Sequence, residues 1–196
     1  MSPGRKLEDF AEAFRAGDAA GIQAACEGIV RAWKDVDVAP LLALKDQLSK
    51  MGLEQRAAHL EEALTSVAKK RPEPFLKLAE EAEGPLWRTA VEVASRAGDP
   101  DLFDLLVKQA SARHAKSLKD VIVALGRYGG RAAGVLSGFL EDEDDEIFHE
   151  AVLALKETGK EGQVTLTEML KKYKAKSSER AEVIKAALAE RHETQS

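Results

Sequence analysis

Val121-Ile122-Val123-Ala124-Leu125-Gly126-Arg127-Tyr128-Gly129 and Ala151-Val152-Leu153-Ala154-Leu155-Lys156-Glu157-Thr158-Gly159 lie 30 residues apart and share one pattern, an apolar helical stripe that ends on a glycine. Between them come a Gly129-Gly130 turn, a second stripe (Val135, Leu136, Phe139, Leu140) and the acidic run Glu141-Asp142-Glu143-Asp144-Asp145-Glu146. The segment Lys119–Gly159 therefore reads helix, glycine turn, helix, acidic turn, helix. The last carboxylates of the acidic run are expected on the N-terminus of the next helix, where the helix dipole favours negative charge. A calcium loop is disfavoured, because the run lacks an interior glycine and alternating ligands.

The same punctuation extends along the chain. Leu7, Phe10, Ala11 and Phe14 make the first helical stripe, and Gly17-Asp18 ends it and caps a second helix carrying Ile22, Ala25, Cys26, Ile29 and Trp33. Pro40 is expected to open a third helix, with Leu41, Leu44 and Leu48 inward and Lys45, Asp46 and Gln47 on its polar side. Leu53, Ala57, Leu60, Leu64 and Val67 mark a fourth, whose last turn holds Lys69-Lys70-Arg71 against the dipole. Pro72 and Pro74, Gly84-Pro85, and Gly98-Asp99-Pro100 delimit the fifth, sixth and seventh helices. Twelve helices are expected in all, with Ser177-Ser178 capping the last and a polar tail after about Arg191. No alternating run and no Asn-Gly or Asp-Gly hairpin turn signals a strand.

Every second helix aligns on one small core position: Cys26, Ala57, Ala90, Val121, Ala151 and Val183, with intervals by subtraction of 31, 33, 31, 30 and 32 residues. Such a period signifies stacked helical hairpins, because one hairpin cannot bury both of its apolar faces alone. Composition agrees. Aromatic residues are only 5% of the 196, and hydrophobic ones 44%, which suits close-packed helices better than sheets. The net charge of -5 gives no general attraction to nucleic acid or anionic membrane. Cys26 is the single cysteine, so no internal disulfide can form, and it reads as a small core residue. No apolar run approaches the roughly 20 residues of a membrane span, and the N-terminus does not read as a secretion signal; a cytoplasmic protein is expected.

The run Asp142, Asp144-Asp145, Ile147, Ala151-Val152, Ala154-Leu155 and Gly159 resembles the short HEAT-like repeat of phycobilisome-lyase-type proteins. Residues 117–129 and 86–98 fit the same frame through Val121, Ile122, Ala124, Leu125 and Gly129, and through Ala90, Val91 and Gly98. The resemblance implies an all-α, right-handed α-solenoid of about six HEAT-like hairpins. It makes residues 1–196 one domain, with less typical repeats over 5–70 and more typical ones over 72–191. One departure stands out. The family's ladder arginine is replaced by Trp87, Leu118 and Phe148 and kept only at Arg180.

In such arrays the second helix of each hairpin lines the concave face. Two rows are then expected there, Gln55, Arg88, Lys119 and His149, and Ala63, Arg96, Arg127 and Glu157. Trp87, Arg88, Arg96, Lys119, Arg127 and His149 are the candidate partner-binding residues, a basic groove with an aromatic anchor for an acidic segment of another protein. The competing reading is local pairing, since Glu92 lies four residues from both Arg88 and Arg96. His149-Glu150 resembles one iron-binding pair of the deoxyhypusine hydroxylases, but the corresponding places hold Arg88-Thr89 and Lys119-Asp120, so no metal is expected. Gly126-Arg127-Tyr128-Gly129-Gly130 follows a helix rather than a strand and reads as a turn, not a phosphate loop. His59, His114, His149 and His192 lie on different helices without ligand spacing. A non-catalytic scaffold or adaptor, with no cofactor and no membrane or nucleic-acid partner, is the expectation. The alternative is a DNA-binding protein or a repair enzyme like the helical-repeat alkylpurine DNA glycosylases. A chromophore-attaching lyase or chaperone is suggested by the resemblance alone.

Overall fold

The computed structural model describes residues 3–112, 118–173 and 178–193, with side chains over 8–112, 118–173 and 179–189. Twelve α-helices occupy them: α1 (Pro3–Ala16), α2 (Ala19–Arg31), α3 (Val38–Lys50), α4 (Glu54–Ala68), α5 (Glu73–Glu81), α6 (Gly84–Ala97), α7 (Pro100–Ala112), α8 (Leu118–Gly126), α9 (Gly130–Gly138), α10 (Asp145–Glu157), α11 (Lys160–Tyr173) and α12 (Ser178–Glu193). A single 3-10 turn, Phe139–Glu141, follows α9, and no strand occurs among the described residues.

The chain divides into two compact units, Met1–Leu102 and Phe103–Ser196, the boundary falling inside α7. In the first, the even-numbered helices pack in sequence, α2 on α4 and α4 on α6, and the odd ones likewise, α1 on α3 and α3 on α5. In the second, α8 packs on α10 and α10 on α12, with α9 on α11. Each unit is thus built mostly from helices that touch their neighbours and next-but-one neighbours in the chain; α3 also packs on α6, three helices further on.

The caps show why the elements start where they do. Asp18 accepts from Gly21 N at 2.7 Å and Asp99 from Leu102 N at 2.8 Å, as their position before a helical stripe predicts. Asp144 does the same for α10, accepting from Glu146 N at 2.8 Å and Ile147 N at 3.4 Å, so the acidic run is a helix start. Gly98 ends α6 at φ 76°, a left-handed conformation open to glycine at little cost. Two boundaries differ from expectation. The third helix starts at Val38 rather than Pro40, because Asp37 supplies the cap to Ala39 N. The last helix runs to Glu193, past the expected polar end; Ser177 of the capping pair lies outside the described residues.

Of the six aligned core positions, Ala57, Ala90, Val121 and Ala151 are buried. Cys26 and Val183 are only half-buried. The buried stripe of α2 is Ile22, Ala25 and Ile29, one position round the helix from Cys26, and that of α12 is Ala181, Ile184 and Ala187. Lys45 also departs from the pattern. It is 8% exposed, inside the stripe of Leu41, Leu44 and Leu48 rather than on a polar side.

Arginines tie successive hairpins together at helix ends. Arg56 of α4 donates to the carbonyls of Phe14 and Arg15 at the end of α1, at 3.1 and 2.6 Å. Arg71 donates to Trp33, Lys34 and Val36 beyond α2, the shortest bond 2.7 Å. Arg71 thus ties the end of α4 to the turn that follows α2; because α4 ends at Ala68, Lys69-Lys70-Arg71 lies just past the helix rather than in its last turn. Arg180 of α12 reaches the acidic turn before α10. It donates to the Asp142 carbonyl at 2.7 Å, pairs with Asp145 at 2.6 Å and stacks 4.6 Å from the Phe148 ring centre.

Candidate functional site

Trp87, Arg88 and Arg96 stand on α6 in the first unit; Lys119 and His149 stand on α8 and α10, and Arg127 directly follows α8, in the second. Trp87 is half-buried, and its indole N–H donates to the Ala79 carbonyl of α5 at 3.0 Å, so the ring is fixed by its own hairpin. Arg88 is exposed. Arg96 Nε lies 2.6 Å from Glu61 Oε1, an ion-pair contact without hydrogen-bond alignment.

That contact is one edge of a larger cluster. Lys45 Nζ of α3 sits 3.0 Å from Glu61 of α4 and 2.7 Å from Glu92 of α6. Lys45, Glu61, Glu92 and Arg96 form a net-neutral network across three helices. Glu92 is thus committed to a partner 47 residues away in the chain, a pairing that helical spacing does not show. Burial acts to lower the Lys45 pKa, but hydrogen bonds and charge from Glu92 and Glu61 outweigh it and hold the ammonium above the ordinary value of 10.5. The arrangement keeps charges fixed, which suits cohesion between helices more than proton transfer.

In the second unit, Lys119 pairs with Glu146, linking α8 to the start of α10. Arg127 and His149 are exposed. Between these groups lie Val123 of α8 and Leu153 of α10, each 41% exposed, though both are large apolar residues. Positions 119, 123 and 127 follow one face, as do 149, 153 and 157, by the four-residue spacing of helical neighbours. The outward strip of these two packed helices therefore has an apolar centre and charged flanks.

A further concavity lies between α2 and α4. This open groove, of about 860 Å³, is lined among others by Cys26, Val30, Trp33, His59, Glu62 and Lys70. Cys26 Sγ is 3.5 Å from the His59 carbonyl. Burial, then the nearby carboxylate of Glu62, pushes the thiol pKa up, so Cys26 is no poised nucleophile. Sequence reading placed Cys26 and Trp33 in the core and missed the groove. Trp33 lies in the turn past α2 rather than on its stripe, and of Ile22, Ala25, Cys26 and Ile29 the inward three leave Cys26 to the groove.

Among the described residues, no group of three or more His, Cys, Asp or Glu side chains is placed to hold a metal ion. His59 and His149 are exposed on α4 and α10; His114 lies outside the described residues, as does the side chain of His192. No helix among the described residues is long and apolar enough to cross a membrane. No protein-family model matches the chain, and no curated protein does.

Proposed function

We propose that the chain is a cytoplasmic, non-catalytic protein-interaction module, a right-handed α-solenoid of six HEAT-like hairpins that holds a partner segment on its even-numbered helices. One observation carries this reading. Val123 and Leu153 stand exposed at matched places on adjacent helices of one layer, flanked by Lys119, Arg127 and His149. An apolar centre with charged flanks is the usual anatomy of a binding surface. The layered packing of α2, α4 and α6, and of α8, α10 and α12, supports the solenoid. So does Arg180, at the place where the resembled family keeps its ladder arginine, paired with the acidic turn one hairpin earlier.

The test is affinity capture from the source cell, identification of the partner, and binding of purified partner to two variants. Val123→Ser with Leu153→Ser should weaken binding at least tenfold with the helical circular dichroism intact, as central contacts carry most interface energy. Reversing Lys119 and Arg127, the cations beside that apolar centre, to Glu should weaken the binding of an acidic partner segment further. Unchanged partner binding by both variants would remove the proposal. Tight duplex-DNA binding with a steep salt slope would replace it with a nucleic-acid function.

A further inference from the structure

The groove between α2 and α4 carries an ordered charge pattern of its own. The two helices run side by side with their C-terminal ends together, because Arg71, just past α4, bonds the carbonyls just past α2. Cys26 marks the middle of the groove through its contact with the His59 carbonyl. There the lining holds Glu27 and Glu62, one from each helix. Toward the C-terminal ends it holds Arg31 of α2 and Lys70, two residues past the end of α4, with Val30, Trp33 and Ala63 also along it. Glu27 to Arg31 is one helical turn, and from Glu62 to the end of α4 at Ala68, just before Lys70, is six residues, so the acidic and basic zones stand about 6–9 Å apart at 1.5 Å per residue. An extended chain covers that distance in about two to three residues.

We propose that this groove binds an extended segment of a partner protein in which a cationic side chain, two apolar side chains and a carboxylate follow one another. The cation meets Glu27 and Glu62, the carboxylate meets Arg31 and Lys70, and the apolar side chains cover Val30, Ala63 and the Trp33 ring. Complementary charge in this order selects the segment over a uniformly acidic or basic one. The proposal rests on the reading of the chain as a protein-interaction module, but uses residues that the α8–α10 surface does not.

The molecule supplies its own control. It has two tryptophans, Trp33 in the groove and Trp87 bonded to Ala79, and their indole N–H signals are separable by NMR. The probe is the blocked hexapeptide Ala-Arg-Leu-Val-Glu-Ala, titrated into the ¹⁵N-labelled full chain, with Trp33→Phe to assign the signals. The Trp33 signal should move saturably and the Trp87 signal stay in place. Replacing either the arginine or the glutamate of the peptide by alanine should weaken binding about fivefold, the range of an exposed ion pair. Glu62→Lys should weaken the parent peptide and strengthen one in which glutamate replaces arginine. No saturable movement at Trp33, equal movement at Trp87, or indifference to the charge swap would each overturn the proposal. So would a Trp33 signal that moves with protein concentration alone, which would make the groove a contact between copies of the chain. The α8–α10 variants are read by capture of the partner, so the two proposals can fail separately.

Discussion

The α4–α6 and α8–α10 junctions join successive even helices by opposite chemistry. In the first unit Lys45, Glu61, Glu92 and Arg96 meet across the junction, with Lys45 and Glu61 almost wholly buried. In the second the backbones come close instead. A Cβ at Gly126 would lie 3.0 Å from the Ala154 carbonyl oxygen and 3.1 Å from its Cα. The period fixes which helices meet but leaves the chemistry of the meeting free. A charged junction depends on every member being present; a close-approach junction depends on one atom being absent.

The comparison is most sharply tested at Lys45. Lys45→Met removes the cation between two carboxylates and should destabilise the first unit by about 3 kcal/mol, the scale for breaking a buried pair. Both tryptophans lie in that unit, so urea denaturation followed by tryptophan fluorescence reports it. Adding Glu61→Leu and Glu92→Met should restore most of the loss, because the buried positions then need no counter-charge and Arg96, 55% exposed, keeps its hydration. If the single variant is neutral, the charged junction contributes nothing to cohesion. The pH dependence has a definite sign. The folded pKa of Lys45 is raised, so its stabilisation is fully present below the ordinary lysine value of 10.5 and is lost as pH climbs through the higher folded value. The wild-type protein should therefore lose stability more steeply than Lys45→Met above pH 10.5.

Gly126→Val tests the other junction and should cost about 2 kcal/mol, as overpacking does when the facing atoms are backbone. Far-ultraviolet circular dichroism would show the loss, while the tryptophan transition of the first unit should not move. Asp144→Ala should cost less, about 1 kcal/mol, by leaving the Glu146 and Ile147 amides without their cap. A loss as large at Asp144 as at Gly126 would mean that the helix start, not the close approach, governs the second unit.

How much of this could be read from residues alone follows from the range of each signal. Helix number and most caps were legible, because Asp18, Asp99, Asp144 and Gly98 act within a few residues of themselves. Registers at the two ends of the chain were less so. Ala25 and Cys26 are both small and apolar, and only the neighbouring helix decides which turns inward. The Lys45 network was illegible, since its members meet across three helices and one of them interrupts a leucine stripe. Arg88, Arg96, Lys119 and Arg127 were read as one basic set, but sequence spacing does not show that Glu61 and Glu146 approach two of them.

The smallest effect concerns the exposed counterpart of the Lys45 cluster. Lys119 and Glu146 bridge α8 and α10 as Lys45 and Glu92 bridge α3 and α6, yet both carry well-hydrated side chains, 44% and 72% exposed. Water screens them, and the entropy of holding two long side chains offsets the attraction. Lys119→Met should leave the urea midpoint followed by far-ultraviolet circular dichroism unchanged within error, and 1 M salt, with a Debye length of about 3 Å, should not separate variant from wild type. The midpoint difference between Lys45→Met and wild type should survive the same salt, because buried charges are not reached by it. If Lys119→Met shifts the midpoint as far as Lys45→Met does, burial is not what separates the two junctions, and the contrast between them fails.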